Sequence, residues 1–347
     1  MSSIYSQVTG AGERFEPADG KVIVFAGQEL EAIGGLQEYK DGYFDHFPAP
    51  GGFTMYTSVA GGMDINGKIF SGLGGVTSTI DWGDGPENIS LQIADPDFKN
   101  SCLAIGFDLS NGYDKKVANG EKDSLLIAFG QWIRALGDRP VFLRIGYEFD
   151  GFDWNHYTKE NYVAAFRRIR QLFDFIGVYN IAYVWQSKGV GTTQKILDDF
   201  YPGNDFVDWC AYSFFTAAEE HHPMIAFARA HNKPLFLAES TPVFLDSNGI
   251  CKPLDLTKSA DAEYTWDNWF VPYFRTINNN PDVIKAFHYI NSNWKSRPLW
   301  KNNPYFKNID ARIHVDKTLT AKWKEEITKE KYLNASDSLF KYLWTPK

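Results

Sequence analysis

The chain has 347 residues, about 44% of them apolar, and a formal net charge of −8. That supports a sizeable core, and the acidic balance argues against nucleic acid as a partner. Three cysteines at irregular spacing (Cys102, Cys210 and Cys251) form neither a disulfide framework nor a zinc cluster, and no apolar run is long enough to cross a bilayer, so no membrane partner is expected.

Short apolar runs alternate with longer amphipathic segments. Runs at 22–28, 52–59, 103–109, 141–149, 181–187, 206–213, 235–240 and 283–291 read as eight strands. Each is nearly continuous in apolar character, as for parallel strands buried on both faces. The stretch 61–92 is irregular and rich in Gly and Asp, and reads as a long loop, with room for a small hairpin, above the ends of the strands. Leu125, Phe129, Trp132, Ile133 and Leu136 make a helical stripe stopped by Gly137. Thr158 caps a second helix, in which Tyr162, Phe166, Ile169, Phe173 and Ile176 recur at helical spacing before Gly177. Pro223 opens a short helix over 224–231, and 262–277 is helical with a kink or break expected at Pro272. The lysine-rich segment 317–331 carries interleaved Glu325, Glu326 and Glu330 and reads as a solvated helix face. Strand-then-helix repeated eight times predicts the α/β class and a (β/α)₈ TIM barrel, with residues 1–347 as one domain and the 61–92 insertion as its irregular part.

In such a barrel, chemistry sits where strands end and loops begin. The polar or aromatic residues at those ends are Asp108, Glu148, Asp150, Trp185, Gln186, Tyr212, Glu239, His288 and Asn291. Glu148 and Glu239 close apolar runs four and seven, which face each other across a barrel. Two carboxyls about 5–5.5 Å apart can cleave a glycosidic bond with retention, one as acid/base and one as nucleophile. Like charges that close raise one pKa, so one group keeps its proton. Asp108 can line the groove, and Asp150 either binds sugar hydroxyls or caps its loop. Eleven Trp, eighteen Tyr and twenty-seven Phe suit a groove for sugar rings, whose faces are apolar and rims polar. Trp154, Trp294 and Trp300 lie in expected loops, with Trp294 the best placed as a platform. Glu219, Glu220, His221 and His222 are adjacent along an extended loop and point apart, so no metal is expected there, and none of the short Asp/Gly turns has the length of a calcium loop.

The run Arg144-Ile-Gly-Tyr-Glu148-Phe-Asp-Gly151 resembles the strand-four motif of clan A glycoside hydrolases, most closely family 26. The segments 181–185, 200–209 and 233–239 resemble that family's strand five, its approach to strand six, and its nucleophile strand. The resemblance covers roughly 125–295. It implies Glu148 as acid/base, Glu239 as nucleophile, Arg144 beneath the site orienting carboxylates, Tyr212 bonded to the nucleophile, and Trp185 stacked on a sugar. Tyr147 stands where the family places His, against the sugar near the scissile bond. Asn291 joins Asp108, Asp150 and Trp294 among the expected substrate contacts. The family includes β-mannanases, β-1,3-xylanases and lichenases. The implied activity is retaining endo-hydrolysis of a neutral β-linked polysaccharide or its oligosaccharides, with exo-action or a catalytically silent glycan-binding barrel as alternatives. No cofactor and no metal are implied. A monomer is expected, secreted or periplasmic with its leader outside this sequence, or else cytoplasmic.

Overall fold

A computed structural model describes residues 12–61, 63–65 and 68–345. Eight parallel strands form a closed ring: β1 (Val22–Gly27), β2 (Gly52–Ser58), β3 (Cys102–Asp108), β4 (Val141–Ile145), β5 (Ile181–Ser187), β6 (Trp209–Phe214), β7 (Leu235–Ser240) and β8 (Ile284–Ile290). Each pairs with the next, and β8 pairs with β1 to close the barrel, Ile23 lying opposite Ala286. All eight expected strands are present, with ends moved by up to four residues. Nearly every strand residue is buried, because one face packs inside the barrel and the other beneath helices.

A helix follows each strand: α1 (Tyr43–His46), α2 (Ile89–Ala94), α3 (Asp123–Ala135), α4 (Lys159–Phe175), α5 (Gln194–Phe200), α6 (Pro223–Ala230), α7 (259–279) and α8 (Lys317–Ile327). Thr158 caps α4, accepting from the Asn161 N–H, and Pro223 opens α6. In α3 the buried face is Leu126, Phe129, Gly130 and Ile133, so Leu125 and Trp132 lie at its edge and not at its centre. No break occurs at Pro272. The helix passes through a π turn at Trp266–Phe270 just before it, which widens the backbone where the proline lacks its N–H. In α8 the lysines face water while Leu319, Trp323 and Ile327 are buried, and the Trp323 indole donates to Tyr43 Oη (2.9 Å).

The barrel interior is aromatic at its lower end. Phe25, Phe142, Trp209 and Phe236 pack there with ring centroids 4.9 to 5.4 Å apart between neighbours. Phe15, with Leu339 and Leu343 of a last helix, α9 (Leu339–Trp344), packs against the same cluster and stoppers that end. The other end, where the strands finish, is left to polar side chains. The 61–92 insertion contains two small antiparallel hairpins, Met63–Ile65 with Lys68–Phe70 and Ile80–Asp81 with Pro86–Glu87.

Candidate active site

Inward-facing positions alternate along each strand. On β4, Phe142 fills the interior, so Arg144 also points inward, one layer higher and fully buried. Space for its guanidinium comes from Gly106 on β3: a β-carbon there would lie 2.9 Å from Arg144 Nη2 and 2.3 Å from the Tyr56 ring. The rings of Tyr56 and Tyr147 flank the guanidinium at 4.9 and 5.4 Å. Its Nη1 donates to Glu239 Oε1 at 2.6 Å and to Gln186 Oε1 at 3.0 Å.

Beyond Ile145 the chain turns sharply, with φ +52 at Gly146 and φ +51 at Glu148. The left-handed backbone at Glu148 is held from both sides. The Phe149 N–H donates to Gln186 O (3.0 Å), and Asn155 Nδ2 donates to Glu148 O (2.7 Å). This turn directs the Glu148 carboxylate towards β6, where Ser213 Oγ donates to it at 2.6 Å. Gln186 Nε2 in turn reaches Ser213 Oγ (3.1 Å) and Glu239 Oε1 (3.3 Å), so one amide and one hydroxyl link the two glutamates. Glu239 meets them because the β6–β7 register shifts between Tyr212 and Ser213, leaving Ser213 opposite Glu239.

The electrostatics separate the two acids. Burial, and then the charge of Glu239, push the Glu148 carboxyl well above its ordinary pKa, with the Ser213 hydrogen bond opposing. Glu239 instead lies on a buried cation. Burial and the charges of Asp108 and Glu239 keep the Tyr147 phenol neutral. His288, beneath the site, is pushed down to about 3 by burial and by Arg144, and its Nδ1 donates to Ala238 O (2.9 Å). A carboxyl that keeps its proton beside a second carboxylate held by a buried guanidinium is a combination suited to acid-assisted displacement at an acetal carbon.

Glu148, Glu239, Arg144 and Tyr147 therefore come together. Asp108 lies at the rim of β3, accepting from Ser58 Oγ (2.8 Å) and the Ser110 N–H (2.9 Å). Four other expectations need correction, and for Asp150 one of the two expected readings is selected. Trp185 points outward from the barrel. It stacks on Phe149 at 4.6 Å and packs against Tyr201 and Phe227, so no face is free for a sugar. Tyr212 also points outward, donating to Glu219 O (3.2 Å) and stacking on His222, so its hydroxyl is spent on the backbone and not on Glu239. Trp294 is buried against Phe306 (4.4 Å) and its indole donates to Thr241. Asn291 is spent on the backbone of Ile313 (2.9 Å) and on His314 (3.1 Å). Asp150 takes the capping role: buried, it accepts from Ser187, Thr192 and the Lys188 N–H. Gln186 stood among the polar strand-end residues without a role, and Ser213 was missed; the signal available for both was a polar side chain near the end of an otherwise apolar strand.

Among the described residues, Asp41, His46 and His314 are the group whose ligand atoms gather, within 4.8 Å of one another. The Asn291 amide is fixed by accepting from the Ile313 N–H, so its NH₂ donates to His314 Nδ1 and the imidazole proton sits on Nε2. Nε2 is the atom that faces Asp41, and a metal ligand there must be bare. The cluster fits a hydrogen-bonded brace better than a metal site.

The chain is similar to known proteins in sequence and in fold. The β-1,3-xylanase TXYA of a Vibrio species is 31% identical over 340 residues, covering 94% of this chain and 68% of that protein. A β-1,3-xylanase from an Alcaligenes species is 31% identical over 337 residues, covering 93% and 67%. In three dimensions the chain is similar to a β-mannanase of Bacteroides ovatus, with TM-score 0.61 and 12% identity over 94% of this chain and 93% of that one. It is also similar to GH26C of a Muricauda species, with TM-score 0.62 and 14% identity over 96% and 91%. At such low identity these two structures speak to the (β/α)₈ fold alone. The profile described as glycosyl hydrolase family 26 matches residues 46–294, and with it the chain belongs to that family of glycoside hydrolases.

Proposed function

We propose that this glycoside hydrolase is an endo-acting, retaining enzyme and that its polysaccharide is a β-1,3-xylan. The observation that carries the substrate is the 31% identity to two β-1,3-xylanases over more than nine-tenths of the chain. The observation that supports the mechanism is the pair of glutamates joined through Ser213 and Gln186, one protonated and one held on Arg144. Glu239 attacks the anomeric carbon as Glu148 protonates the departing oxygen. A glycosyl-enzyme results, and Glu148, now a base, draws a proton from water that releases the sugar with its configuration retained. Arg144 holds the attacking carboxylate in place between turnovers. Tyr147, half-buried beside the pair and 5.8 Å from the Trp154 ring, is placed to touch the sugars at the point of cleavage. In this reading the chain works as a monomer outside the cytoplasm.

Incubation with β-1,3-xylan, mannan and mixed-linkage glucan, with products identified by linkage, tests the substrate. Oligosaccharides of several sizes should appear early from β-1,3-xylan, and the first anomer seen by NMR should be β. Faster cleavage of mannan, a single small sugar from the first turnover, or an initial α-anomer would each refute its part of the proposal.

A further inference from the structure

The wall of the site between β1, β2 and β8 is built by two segments that meet. The turn at 81–85 is tightened by Asp81, whose Oδ1 accepts from the Gly83 and Gly85 N–H groups at 2.7 and 3.2 Å. The loop after β8 locks onto it where the Leu299 N–H donates to Gly83 O (2.9 Å). At the junction stands Asp84. Gln28 Nε2 donates to one of its carboxylate oxygens and the Trp300 indole to the other. Gln28 also accepts from Tyr56 Oη (3.0 Å), and the Tyr56 ring lies against Arg144, which holds Glu239. A short run of contacts thus leads from Asp84 to the nucleophile.

A carboxylate is a poor choice for a brace here. Both donors are neutral, and Arg297, the cation above it, is engaged with Glu29 and Glu31. Among the described residues no cation lies within ion-pairing distance of Asp84. An Asn or Ser could join the two loops without the desolvation cost of a charge. Each oxygen of Asp84 still has acceptor capacity after one bond, the residue is only partly covered, and it lies near enough to Glu239 to feel its charge.

We propose that Asp84 is a third functional carboxylate, which accepts hydrogen bonds from hydroxyls of the sugar ring held over Glu239, with Gln28 and Trp300 setting its orientation. This rests on the reading that the sugar under attack sits over Glu239. The chemistry it reads is a neutral ring with free hydroxyls next to the attacked carbon, and its hydrogen bonds strengthen as that ring gains positive charge. The same position makes it sensitive to pH. Burial, offset in part by Trp300, Arg297 and Gln28 and aided by the charge of Glu239, pushes Asp84 up to about 6, and Asp84 in turn raises the neighbouring Glu29 and Glu87 carboxyls. Its ionised form is the better acceptor, so substrate capture weakens as pH falls through that value.

The test uses Asp84→Asn and Trp300→Phe, with kcat and KM measured across pH on whichever β-glycan the wild type cleaves fastest. A wrong sugar then upsets the earlier reading and leaves this one exposed to its own result. For Asp84→Asn, kcat/KM should fall about 10- to 100-fold at neutral pH, the loss of one or two hydrogen bonds to a charged acceptor. The acid limb of its profile should lie at lower pH than in the wild type. Trp300→Phe removes a donor that favours the ionised form, so its acid limb should move to higher pH. Wild-type kcat/KM in Asp84→Asn, or a reduced value with an unmoved acid limb, would make Asp84 a brace and overturn the proposal. If Asp84→Asn does not fold, an unmoved acid limb in Trp300→Phe overturns it alone.

Discussion

Replacing Arg144 with Met keeps the length of the side chain and removes its charge. The guanidinium is fully buried, and its bond to Glu239, itself 7% exposed, is 2.6 Å long. In the variant, Glu239 keeps the 3.3 Å contact with the Gln186 amide but loses its cation. Removing one partner of a buried ion pair costs about 3–5 kcal/mol, because the other charge stays desolvated. If about 3 kcal/mol of that is also lost from the transition state, kcat/KM falls by about 100-fold. The sign of the pH effect follows from linkage. An unpaired buried carboxylate favours its protonated form more in the folded than in the unfolded chain, so the stability deficit is full near neutrality and shrinks as acid supplies the proton. Denaturant unfolding of both proteins at about pH 7 and about pH 4, read by tryptophan fluorescence, measures this directly. A deficit below about 1 kcal/mol at the higher pH, or one equal at both, would refute the view that Arg144 exists to hold Glu239 charged.

Ser213→Ala removes the hydroxyl that lowers the pKa of Glu148. The acid then holds its proton to higher pH, and the alkaline limb of kcat/KM should move upward; a limb that stays or falls contradicts the assignment. Gly106→Ala would place a β-carbon 2.3 Å from the Tyr56 ring and 2.9 Å from Arg144. Displacing that layer should cost about 100-fold in kcat/KM, seen by reducing-sugar assay, and near-native activity would show that the layer is free to move. Trp185→Phe should lower stability by about 1–3 kcal/mol through lost packing, with KM within about threefold of wild type. A raised KM at unchanged stability would return Trp185 to the sugar.

The barrel was readable because strands covered on both faces are written as short apolar runs, and 181–187 or 235–240 could hardly be anything else. The same property hid the orientation of individual residues. In Ile181–Ser187 both faces are apolar, so no alternation shows that Val184 and Gln186 point inward while Trp185 points out. The inward place expected of Tyr212 belongs instead to Ser213, which bonds Glu148, for the same reason, compounded by the register shift beside them. Glu148 and Glu239 were legible because each is a carboxylate closing an apolar run. Trp294 and Asn291 were misjudged because their covers, Phe306 and the segment 313–314, come from later in the chain. Asp84 reads as one residue of a short Asp/Gly turn, which Asp81 tightens. Only its distant partners, Gln28 and Trp300, give it a second meaning.

The left-handed backbone at Glu148 has a cost for the molecule as a whole. A side chain with a β-carbon forgoes about 1–2 kcal/mol in that conformation, and glycine forgoes almost none. Glycine at 148 would also spare the folded protein a carboxyl crowded against Glu239. The acid proposed to protonate the leaving group thus occupies the position where the chain would sooner have no side chain, and a Glu148→Gly protein is expected to be inactive and to outlast the parent on heating.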